Sequence, residues 1–159
     1  MSWTFTTPKS GYLEPQEQRQ VERLQARIVI SDPANGVPGA TEAAAANFLS
    51  RLLAMDDTTY YDLPAWRMLY RDGLARLEQA AQAKFGTGLV DLDDTQCDKL
   101  LADLEGSTCT DLPEDFDQTG FFTTLWRHTL QGCFADPRWG GNANNVMWRW
   151  YGYLQDVRA

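Results

Sequence analysis

The chain has 159 residues, 43% of them apolar and 23% charged, with a formal net charge of −8. That length is one domain's worth and buries about two-thirds of the surface an unfolded chain exposes, so no metal or disulfide is needed to hold a core. Lysines and arginines stand singly. This argues against the clustered cations that nucleic acid and anionic lipid demand, and no run approaches the roughly 18 apolar residues of a membrane span.

Residues 1–13 are polar with scattered aromatics and read as an N-terminal arm to a single helical domain over 14–159. The opening MSWTFTTPKSGYLEPQ has no apolar signal core and no twin arginine, which favours a cytoplasmic chain, or a periplasmic one if a signal has been removed. Glu14-Pro15 starts the first helix, since proline suits the first helical turn. Val21, Leu24 and Ile28 form its apolar stripe. Two prolines and two glycines between Pro33 and Gly39 force a structured loop. Thr41 is the expected N-cap of a second helix with Glu42 in its first turn. The alanines Ala43 to Ala46 allow another backbone to pack closely, and Asp56 to Asp62 make a short polar connection.

The third helix starts near Leu63-Pro64 with the stripe Trp66, Tyr70, Leu74, Leu77, Ala81 and Phe85, and stops at Gly86. Gly73 inside it costs about 1 kcal/mol relative to alanine, and marks a tight crossing. Asp93 or Asp94 caps a fourth helix bearing Cys97, Leu100, Leu101 and Leu104. A fifth segment begins at Pro113, with Phe116, Phe122, Leu125, Trp126 and Thr129 as its expected buried face. Gly132 to Asn145 is rich in glycine and asparagine and reads as ordered turns, followed by an aromatic tail from Val146 to Tyr153. The fold class is all-α: a bundle of five or six helices with an irregular aromatic, Gly/Asn-rich C-terminal segment.

Little catalytic chemistry emerges. A single histidine, His128, defeats the paired Glu-x-x-His pattern of di-iron bundles. Cys97, Cys109 and Cys133 make no CxxC pair and read as buried free thiols. The acids around Asp93 and Asp115 lack the spacing of a calcium loop and read as helix caps. Gly140-Gly141-Asn142 lacks the lysine of a phosphate loop, so its glycines serve conformation. No catalytic or metal residue and no cofactor is therefore assigned to this chain.

The run Gly132-Cys133-Phe134-Ala135-Asp136-Pro137-Arg138-Trp139-Gly140-Gly141-Asn142, followed by Trp148 and Tyr151-Gly152-Tyr153, resembles the end of the gluconate 2-dehydrogenase subunit 3 family. Ile28-Val29-Ile30, Asp32-Pro33, Pro38-Gly39-Ala40-Thr41-Glu42-Ala43 and Phe85-Gly86 agree with it, so the resemblance spans about residues 14 to 153. It implies the small subunit of a sugar, sugar-acid or polyol dehydrogenase. The partner it implies is a large catalytic flavoprotein of the glucose-methanol-choline type, which carries the FAD. The small subunit supports its partner's folding, stability and often its export. Members often bear a twin-arginine signal; none stands here.

An accessory subunit needs an apolar face for its partner. The candidate residues are Phe134, Arg138, Trp139, Asn142, Trp148, Trp150, Tyr151 and Tyr153, with Arg149 beside them. The same segment could instead fold back on its own bundle. Two other readings stand beside the accessory subunit: a free-standing enzyme using His128, and a helical domain that binds a small molecule among its aromatics.

Overall fold

The computed structural model describes residues 10–154. Six α-helices follow one another: α1 (Pro15–Ile28), α2 (Ala45–Leu53), α3 (Leu63–Phe85), α4 (Asp94–Glu105), α5 (Gln118–Phe134) and α6 (Val146–Tyr151). Among the described residues there is no strand, only an isolated bridge between Asp32 and Val37. The all-α reading is correct.

Local chemistry explains most helix boundaries. Pro15 opens α1, and the Glu17 carboxylate accepts the Glu14 amide at 2.9 Å. Asp93 caps α4 reciprocally: its carboxylate accepts the Gln96 amide at 2.8 Å, and Gln96 Oε1 accepts the Asp93 amide at 3.0 Å. Gly86 ends α3 in the left-handed region at φ 73°.

The core gathers α1 to α5. Val21 and Leu24, then Tyr70, Leu74, Leu77 and Ala81, then Cys97, Leu100 and Leu104, are buried together, with Trp66 and Phe85 packed at the edge. Gly73 does mark a close crossing. A Cβ there would run into the ring of Phe121 on α5, so the missing methyl admits that ring.

Three expectations need correction. Thr41 caps nothing: residues 41–44 form turns, and α2 begins at Ala45 after Ala44 in the left-handed region at φ 52°. The Ala43 carbonyl accepts from the amide of Ala143 at 3.1 Å, which holds this turn to the C-terminal segment instead of continuing the helix. The fifth helix starts at Gln118, not Pro113, because Asp117 accepts the Gly120 amide at 2.9 Å as the cap. This phase buries Phe121, Leu125, His128 and Thr129, leaves Phe122 half-buried and exposes Trp126. The helix also runs on through Gly132 and Cys133 to Phe134, so the turns begin only at Ala135.

Residues 10–13 of the arm are docked on the bundle. The amides of Tyr12 and Leu13 donate to the backbone oxygen and Oγ of Ser50, at 2.9 and 3.0 Å. The guanidinium groups of Arg67 and Arg71 lie 5.6 and 5.0 Å from the Tyr12 ring centre. The rest of the arm, residues 1–9, lies outside the described residues, as do residues 155–159.

Candidate partner interface

The C-terminal segment is built on glycine. Gly132 of α5 faces α2, where an added Cβ would stand 2.9 Å from the Cα of Ala45. The alanine run therefore does permit backbone-to-backbone packing. Gly141 lies against the backbone of Gly132, where a Cβ would strike the Gly132 carbonyl. Gly140 takes φ 98°, beside Arg51 and Asn47, and Asn47 Nδ2 donates to its carbonyl at 2.7 Å.

Asn142 completes this lock. It is 0% exposed. Its amide donates to Gly132 O at 2.8 Å, its Nδ2 donates to Ala135 O at 3.2 Å, and its Oδ1 accepts the Met147 amide at 3.0 Å. It therefore cannot touch a partner directly; it fixes the loop that carries the residues around it. Met147 in turn is buried with Ala40, Ala43, Ala45 and Cys133, which anchors α6.

The other candidates surround this anchor. Phe134 is 42% exposed, Trp150 50%, Tyr151 72% and Tyr153 58%. Trp148 is half-buried; its Nε1 donates to Phe134 O at 2.9 Å, and its ring meets Tyr153 edge-on at 5.2 Å. Trp139 is half-buried in a cluster with Leu52, Met55 and Leu63. Arg138 pairs with Asp136 at 2.7 Å and lies 5.9 Å from the Trp139 ring centre. That pairing raises the arginine's proton affinity and lowers the Asp136 pKa. Arg149 donates to Asn144 O. So the segment divides: Met147 and Asn142 fold inward, while Phe134, Trp150, Tyr151 and Tyr153 face outward.

Sequence reasoning missed a second exposed aromatic stretch. The 56–62 connection reads as polar, yet Tyr61 is 98% exposed and Tyr60 and, in the second turn of α3, Met68 are also exposed. Two adjacent tyrosines outside any helical stripe were the available signal.

His128 is buried, with Nδ1 2.8 Å from Tyr70 Oη and the Trp66 ring edge-on at 4.7 Å. Burial, aided by nearby Arg127, lowers its pKa to about 4, so the ring is neutral at pH 7. Burial raises the Tyr70 pKa strongly, so its hydroxyl stays protonated and shares one hydrogen bond with the neutral imidazole. This hydrogen bond joins two side chains that are both buried in the bundle. All three cysteines are buried and free, as expected, and burial pushes Cys97 up to about 11 and Cys133 up to about 12. The acids cap and pair: Asp94 with Arg23 and Arg27, Asp98 with Arg27. No three His, Cys, Asp or Glu residues gather into a metal-binding group among the described residues.

What these elements define is an all-α domain that displays aromatic side chains around a glycine-locked C-terminal turn. The sequence matches the family described as gluconate 2-dehydrogenase subunit 3 over residues 15–154, and the chain belongs to that family. No curated protein and no solved structure shows significant similarity to it.

Proposed function

We propose that this chain is the non-catalytic small subunit of an FAD-dependent dehydrogenase. It binds and stabilises a large glucose-methanol-choline-type flavoprotein that oxidises a sugar, sugar acid or polyol. Membership of a dehydrogenase subunit family supports a catalytic partner. The observation that carries the reading to a surface is the exposed group of Phe134, Trp150, Tyr151 and Tyr153. Four large rings, at the end of α5, on α6 and just after it, give contact area at small entropic cost, and aromatic anchors of this kind dominate binding energy at protein interfaces. The FAD sits in the partner.

Size-exclusion chromatography with light scattering tests this, on the chain alone and co-expressed with the flavoproteins of its own genome. A yellow heteromeric complex that oxidises sugars or polyols is the expected result. A chain that stays monomeric and elutes apart from every such flavoprotein overturns the reading.

A further inference from the structure

A second apolar feature lies apart from α6. Between α2, the 56–62 connection, the start of α3 and the end of α5 runs a groove of about 420 Å³. Phe48, Leu52, Tyr60, Trp66 and Phe134 line it, and an adjoining recess shares three of these walls and adds Trp139. Gln131 supplies the one side-chain amide among the lining residues. A small-molecule site of this size encloses most of its ligand's surface and fixes it with a few convergent polar groups. This groove instead has the layout of a protein contact, an aromatic floor with charge at its rim.

The charge at the rim has a sign. The chain carries a net −8, yet residues 118–154 hold Arg127, Arg138 and Arg149 against one carboxylate, Asp136. Arg127 lies one turn before Gln131 on α5, exposed on the same helix face. Arg138 stands beside Trp139 but is already paired with Asp136 at 2.7 Å, which leaves Arg127 as the cation of this edge. On the facing connection Asp57 pairs with Arg67, while Asp56, an anion that accepts from Thr58, and Asp62 put negative charge on that side. The α5 edge of the groove is therefore the cationic one.

We infer that this groove seats a segment of the catalytic subunit that presents an apolar or aromatic side chain next to a carboxylate. The apolar group enters between Leu52 and Trp66, and the carboxylate meets Arg127, on the edge away from Asp56 and Asp62. The inference rests on the accessory-subunit reading and adds a second contact to it, with a defined chemistry and orientation.

The test is a calorimetric titration of the chain into its purified flavoprotein partner, comparing wild type with Tyr60→Glu, Arg127→Glu and Trp150→Ser. Both groove positions are exposed, and circular dichroism melts check that each variant is folded. Tyr60→Glu is expected to weaken binding about tenfold or more, by setting a charge on an apolar wall. Arg127→Glu is expected to weaken it and to flatten its dependence on salt, since a rim charge acts over a screened distance. Should Tyr60→Glu fail to fold, the Arg127→Glu salt series decides alone. If wild type and both groove variants bind within about twofold of each other while Trp150→Ser is impaired, the groove assignment is wrong and the accessory-subunit reading stands. If wild type binds no flavoprotein, both fall.

Discussion

At the scale of single residues, two buried polar side chains matter most. His128 has a folded pKa of about 4 against an ordinary 6.5. The unfolded chain therefore takes up the proton first as pH falls. The stability from the neutral, buried ring is complete above about pH 6.5 and is lost progressively toward pH 4, by about 3 kcal/mol. Carboxylates with lowered pKa values, such as Asp98 and Asp103, lose their contribution at lower pH still. The His128 share is isolated by comparison with His128→Gln. Urea midpoints at pH 7 and pH 4.5 should differ less in the variant than in wild type, and equal differences would show that His128 carries no such linkage. Asn142 holds the C-terminal turn through two side-chain hydrogen bonds, to Ala135 O and the Met147 amide. Asn142→Ala leaves both groups unpaired inside the protein and is expected to cost about 2–4 kcal/mol in denaturant unfolding. A loss under about 1 kcal/mol would mean that water replaces the amide.

At the scale of elements, glycine and alanine decide how closely α5 approaches α2. Gly132→Ala pushes a methyl into the backbone at Ala45, which cannot rotate aside as a side chain can. A cost of about 2 kcal/mol or more is expected, in the range of overpacked cores. Gly86 is the internal contrast. It takes φ 73° with nothing within 4 Å of an added Cβ, so Gly86→Ala should cost only about 1 kcal/mol, from backbone strain alone. Thermal melts of the two variants side by side check the order; the reverse order would mean that α2 and α5 part more easily than their contact implies. Asp93 at the start of α4 was readable because a cap involves residues three apart. The failure at Thr41 has the same logic in reverse: a local cap signal lost to hydrogen bonds from the distant Ala143.

At the scale of the whole molecule, the exposed aromatics raise a question of solubility as well as function. Apolar patches of this kind on an isolated chain mark interaction sites or association hazards. Trp150→Ser combined with Tyr151→Ser should leave the melting temperature close to wild type, because both side chains are at least half exposed, while reducing the binding of an apolar dye. Unchanged dye binding would place the dominant patch elsewhere, with the Tyr60–Tyr61 and Met68 surface the next to vary. The three cysteines do not enter this question, because all are buried as free thiols.

Sequence alone determined the helical class, five of the six helices and most of their ends, because proline, glycine, caps and a period of three to four act within a few residues. It also carried the family, since the run from Gly132 to Asn142 is specific as a string. The tertiary structure decided what that string does. The glycines serve contact between α2, α5 and the turn, and Asn142 works inside the fold. It decided, too, that Phe121 is buried where Phe122 was expected, because Gly73 on α3 leaves room for that ring. Which side chains finally face a partner follows from that packing: exposure depends on atoms contributed by segments far apart in the chain, and no local pattern records them.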